Sequence, residues 1–223
     1  MTSNISANSR TPEFETAGRF YPALHSFIQA GMLLYQPRKI TVAQIKALSL
    51  LQTGNAYLHT CLCGDFREQV AVVCTALHLS SSEFKKFAVM PLPSGGSAYP
   101  NFELRQGDVL KYARQFSKPE DRKNKLIVGC GWGMFLLPGH HFIESTCNLL
   151  SAQQDWLEFC ASPSMQCAKV MEVMDTYMDM AGGDFEMACS MFHAGNCSLT
   201  KTAFGKRAQM TLNRLIGAGH SEK

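Results

Sequence analysis

From Phe14 onward apolar residues recur at the three-to-four spacing of amphipathic helices, and residues with helix-capping chemistry stand where the runs begin. Thr41 with Gln44, Asp65 with Glu68, and Ser151 with Gln154 fit the capping box, in which two side chains satisfy each other's free N–H groups. They predict helices near 41–52, 66–79 and 152–160. Ser162 ahead of Pro163 puts a cap before a proline at the first helical position, where a missing N–H does no harm. That helix is predicted to run to Ala181 and stop at Gly182-Gly183. Asp184 restarts a helix through Phe192 that Gly195 ends, and a last helix runs from near Ser198 or Thr200 to Ile216, before Gly217. A further helix, Leu104 to Phe116, turns Leu104, Val109, Leu110 and Ala113 inward and puts Lys111 and Arg114 on one face.

Two stretches break this rhythm. Residues 90–100 hold three prolines and two glycines and read as a loop, while 128–139 is apolar but punctuated by glycine, with room for one short strand. Residues 1–13 are polar and rich in Ser and Asn, which reads as an arm. The fold class is therefore mainly α, a two-lobed helical protein with terminal arms. Its expected parts are an arm over 1–18, lobes over 19–125 and 126–216, and a tail over 217–223.

With 223 residues, 46% of them hydrophobic, the chain is long enough for a core, and its composition excludes disordered and collagen-like classes. Met1 to Arg10 carries no apolar run, and no stretch reaches about 18 apolar residues, so neither a secretory signal nor membrane insertion is expected. Nine cysteines lie singly among apolar residues, which points to a reducing compartment and leaves the sequons at Asn4 and Asn196 silent.

Charge changes the picture more. The net charge of +3 is small, yet residues 105–125 carry seven basic residues (Arg105, Lys111, Arg114, Lys118, Arg122, Lys123, Lys125) against three acidic ones. Over 126–200 Lys169 faces eight acids, and from Lys201 onward Lys201, Lys206, Arg207 and Arg214 restore a basic balance. Clustered cations bind phosphate backbones with release of counterions, and interleaved aromatic residues offer stacking faces for unpaired bases. Tyr112 and Phe116 lie in the first cluster and Phe204 in the second. Arg105, Lys111 and Arg114 are expected to form one wall of a groove for single-stranded RNA, and the segment from Lys201 to Arg214 the other. The acidic stretch is expected to keep polyanions off one lobe.

No enzyme is called for by the remaining motifs. Lys125 to Gly133 resembles the strand and Gly-x-Gly-x-Gly of S-adenosylmethionine methyltransferases, but Val128 stands where an acid is usual and helices follow instead of a doubly wound sheet. His59, Cys61 and Cys63 lack the second pair that a structural zinc site needs, and His140-His141 read as ordinary loop-edge histidines. No catalytic residue, metal or cofactor is assigned.

Three places resemble bunyavirus nucleocapsid proteins of the orthobunyavirus branch. Phe14 with Ala17-Gly18 is similar to the family's opening. The Pro/Gly loop at 91–100, followed by Leu104-Arg-Gln-Gly-Asp-Val-Leu-Lys-Tyr-Ala-Arg114, resembles its loop and basic helix. Gly131-Trp132 leading into Phe135-Leu-Leu-Pro-Gly139 with Phe142 resembles its Gly-Trp and Phe-Phe-Pro-Gly segment. The resemblance implies a viral nucleocapsid protein that encapsidates single-stranded genomic RNA in a basic cleft between lobes. It also implies homo-oligomers, rings or filaments, joined through terminal arms, with Phe14 and Phe20 at the anchoring end. Arg105 and Arg114 correspond to the family's cleft arginines, and Lys46 to a basic position after the arm. The viral polymerase is a further implied partner, and the virion and host cytoplasm the implied location. Two other classes stay open: a viral matrix or assembly protein, suggested by Met- and Cys-rich helices, and the methyltransferase.

Overall fold

The computed structural model describes residues 24–53, 66–91, 97–144, 149–195 and 197–218. Phe14, Phe20, the arm, and the His59, Cys61, Cys63 triplet lie outside them. The described chain is mainly α: α1 covers 24–34, followed by α2 (Val42–Thr53), α3 (Phe66–Leu77), α4 (Ser81–Ala88) and the two-residue strands β1 (Met90–Pro91) and β2 (Ser97–Ala98). Next come β3 (Phe102–Leu104), α5 (Gly107–Arg114), a 3-10 turn at Pro119–Asp121, α6 (Arg122–Gly129), β4 (Cys130–Trp132) and β5 (Leu137–Pro138). The chain continues as α7 (His140–Glu144), α8 (Leu149–Ala161), α9 (Pro163–Met180), α10 (Phe185–Ala194) and α11 (Ala203–Gly217). No helix of the described residues is long and apolar enough to cross a membrane.

Local capping chemistry explains several boundaries. Thr41 and Gln44 exchange the reciprocal bonds of a capping box at the start of α2. Ser162 accepts from Met165 N–H with Pro163 in the first turn of α9, Asp184 accepts from Met187 N–H, and Gly195 ends α10 in the left-handed conformation. The structure corrects four expectations, the first being that residues 90–100 hold no regular element: Met90 and Pro91 pair with Ala98 and Ser97 as β1 and β2. Ser151 lies inside α8, which begins at Leu149, and Gln154 bonds Glu158 instead of capping. Leu104 and Arg105 are not helical: Leu104 pairs with Cys130 in the sheet, and α5 starts only at Gly107, whose φ of +61° breaks helical continuity. The stretch 128–139 holds two strands, each too short to show a period-two pattern.

Those strands order a three-stranded antiparallel sheet β3-β4-β5 with Trp132 opposite Phe102 and Leu137. Trp132 is fully buried, donates its indole N–H to Ile127 C=O at 2.8 Å, and meets Trp156 edge-on at 5.0 Å. The glycines of the methyltransferase-like motif serve packing. A Cβ at Gly129 would come within 2.7 Å of Leu77, and at Gly131 within 2.5 Å of Leu136 C=O. At Gly133 it would reach 2.3 Å from Gln166 Oε1. The space a cofactor loop needs is filled by protein, and the segment leading into it is helix α6.

One apolar core extends from Leu24 to Leu215 and takes in residues on both sides of 125/126, a boundary that falls inside α6. α11 packs on both α10 and α2. Asp175 of α9, fully buried, belongs to this framework and not to a solvated acidic face. It accepts from the N–H groups of Arg38, Lys39 and Ile40 at 2.7, 2.9 and 3.0 Å and from Tyr35 O–H at 3.0 Å, clasping the α1–α2 connection. Burial pushes its carboxyl up, and these four donors outweigh burial, so it lies below its ordinary value.

Candidate nucleic-acid interface

The cations singled out from the sequence meet three fates. Lys46, Arg105 and Lys125 are buried, at 4%, 7% and 8% exposure, because α2 and α6 are enclosed by their neighbours and Arg105 sits in the β3–α5 connection. Lys46 and Lys125 thus offer little surface to a ligand, contrary to expectation. A second group is engaged by the protein itself. Lys111 pairs with Asp108 at 2.9 Å, Arg122 with Glu83 at 2.7 Å, and Lys201 with Asp184 at 2.7 Å. Lys123 lies over the Trp156 ring at 5.5 Å, where burial lowers its pKa. Arg114 donates from Nε to Ala76 C=O of α3 at 3.0 Å. Exposed and without an ion pair among the described residues are Lys118, Lys206, Arg207 and Arg214.

The two basic segments do converge, through a residue that no charge count selects. The Arg105 guanidinium donates to the C=O of His193, near the end of α10. The His193 ring stacks on Phe204 of α11, centroids 4.2 Å apart and planes 7° from parallel. Arg207, one turn further along α11, adds its field at His193. Phe204 is therefore buried under His193 and is no stacking face for bases. Phe116 packs edge-on against Tyr112 at 5.5 Å, and Tyr112 faces the site. Arg114, turned toward α3, sits on the other flank of α5 from Tyr112, so Arg105, Lys111 and Arg114 do not form one wall.

Beside Arg105 lie two more histidines at the start of α7. The His140 and His141 rings are 4.2 Å apart, and His141 Nε2 is 3.2 Å from Tyr177 Oη. Burial and the Arg105 charge lower His140 to about 4. Burial, then the fields of His140, Lys169 and Arg105, lower His141 to about 3. Burial, then Arg105 and Arg207, lower His193 to about 4. All three are neutral at pH 7. Glu103 is the acid whose field reaches Arg105, and the two form no ion pair.

A pocket of about 350 Å³ opens here, walled by Gln106, Gly107, Asp108, Tyr112, His140 and Gly195. Across Gln106 a second groove of about 450 Å³ runs between α3 and β3, with Glu68 and Glu103 on its walls. Its carboxylates disfavour a polyanion, so the first pocket and the exposed face of α11 are the chain's candidate anion surface. The sequence signal for His193 and His140 is weak: His193 stands singly between Phe192 and Ala194, His140 reads as one of two adjacent loop-edge histidines, and only the tertiary fold brings them to Arg105.

No family model, no curated protein and no solved structure matches this chain.

Proposed function

We propose that the protein binds single-stranded RNA as a viral nucleocapsid protein, packaging genomic RNA along a basic surface and associating with further copies of itself. The observation that carries this reading is the convergence of Arg105, His193 and Arg207 beside an open pocket, with Lys206, Arg207 and Arg214 on the exposed face of α11 and without an ion pair among the described residues. Nonspecific RNA binding needs cations that the protein has not neutralised, and these are such cations. The two-lobed arrangement with terminal arms, rings or filaments as the assembled state, the viral polymerase as a partner, and the virion and host cytoplasm as the location belong to the same proposal.

The experiment is fluorescence anisotropy with a labelled 12-nucleotide RNA at increasing salt. Three phosphate contacts weaken binding about 20-fold between 50 and 200 mM salt, at the slope known for single strands. Reversing Lys206, Arg207 and Arg214 to Glu is expected to abolish binding and leave the melting temperature near that of the wild type. Salt-independent binding, or full binding by the triple variant, would overturn the assignment of this surface.

A further inference from the structure

The chain leaves the first turn of α5 without a side-chain cap. Gln106 precedes the helix with extended backbone and caps nothing, so the first N–H groups of the eight-residue helix Gly107–Arg114 lack the partner that Ser, Thr or Asp supplies elsewhere in this fold. Those groups and the positive end of the helix dipole lie at the wall of the 350 Å³ pocket.

His140 is an independent pointer to the same place. Its ring lines the pocket with 5% exposure, and its Nδ1 has no hydrogen-bond partner. Buried polar atoms are almost always satisfied, so an orphan at a pocket wall calls for a missing partner. Gly195, on the same pocket wall, packs directly against this ring. A Cβ there would stand 3.0 Å from His140 Cε1 and 3.8 Å from Nδ1. The imidazole is neutral at pH 7 and presents Nδ1 as an N–H donor in one of its two tautomers. Arg105 adds positive potential from behind. Among the groups facing the pocket, Asp108 opposes an anion, but it is exposed and held by Lys111 at 2.9 Å.

We propose that this pocket is a phosphoryl-binding subsite, with the α5 N-terminus and His140 Nδ1 donating to phosphate oxygens and Tyr112 lying against the sugar or base of the same nucleotide. The volume suits one nucleotide, at the small end of ligand pockets. The inference deepens the RNA-binding reading and rests on it for the source of the phosphoryl group. The same chemistry would also accept a free nucleotide.

The test compares the full-length wild type with Gln106→Asp by calorimetry, using inorganic phosphate, adenosine monophosphate and a 12-nucleotide RNA as probes. Gln106 is exposed and Asp is a strong N-cap, so the variant folds and supplies its own carboxylate to the α5 N–H groups. The expected result is a higher melting temperature, at least tenfold weaker monophosphate binding, and severalfold weaker RNA binding. Wild-type protein that binds neither phosphate nor monophosphate overturns the subsite, as does a variant that binds both like the wild type. RNA binding that persists in those cases leaves the RNA reading standing. Monophosphate binding that is lost in the variant, with no RNA binding at all, supports the subsite and overturns the RNA reading, making a free nucleotide the ligand.

Discussion

Acid should unfold this protein over a window set by its buried histidines. His140 accepts a proton near 6.5 in the unfolded chain and only near 4 in the folded one, because burial and Arg105 disfavour the imidazolium. Between those values the unfolded state holds more protons, so stability is complete above pH 6.5 and falls as pH drops toward 4. The difference between these two values is worth about 3 kcal/mol, of which about 2 kcal/mol is gone by pH 5. His141 and His193, lowered to about 3 and about 4, act in the same direction. The carboxylates with lowered pKa, Glu83, Asp175 and Asp184, release their stabilisation only at lower pH. The assay is urea unfolding from pH 7.5 to 5, followed by the fluorescence of the buried Trp132 and Trp156. The midpoint should fall steadily below pH 6.5, and His140→Gln should flatten the slope whatever it does to the absolute stability. A midpoint constant from pH 7 to 5, or a slope unchanged in the variant, would refute the reasoning.

Asp175→Ala strands three backbone N–H groups and should destabilise the protein by about 3 kcal/mol in urea unfolding, far more than removal of an exposed acid such as Asp155. Gly205→Val places its Cβ about where Ser190 Oγ and Glu186 C=O now lie, 2.1 and 2.2 Å away. It should force α11 off α10, lowering the melting temperature and RNA affinity together. Deleting residues 1–18 should leave a folded protein that binds short RNA weakly and sediments as a smaller species; an unchanged oligomer by sedimentation velocity would move the self-association surface elsewhere.

The helices most legible in the sequence are those whose ends are set by local chemistry. Ser162-Pro163, Gly182-Gly183, Asp184 and Gly195 place α9 and α10 almost to the residue because each cap acts within its own turn. α4 carried an equally local signal, Ser80 with Glu83, and the structure forms that box in full. The sequence hides it because the helical spacing of apolar residues in α3 continues to Leu79; the turn falls at His78, at φ +54°, which nothing in its neighbours announces. The sheet was illegible for another reason. Strands of two or three residues carry no alternation, and β4 is defined by how closely Gly131 lets Leu136 approach.

Charge counting along the chain located the right segments and misjudged their members, because it cannot see where a cation's partner lies. Lys201 is matched by Asp184, Arg122 by Glu83, and Lys46 belongs to a helix that α11 covers. What survives is a smaller set, concentrated on α11 and joined to Arg105 through His193. This remainder has an energetic consequence. A buried guanidinium bonded to a neutral carbonyl, beside three histidines kept neutral by burial, stabilises the free protein less than an apolar cluster of the same volume would. A fold tolerates such a cluster when a ligand offsets its cost, and an anion is the ligand whose charge this cluster lacks. Phosphate or RNA should therefore raise the melting temperature of the wild type in proportion to its occupancy of this site, whereas a sodium chloride control of equal ionic strength should not.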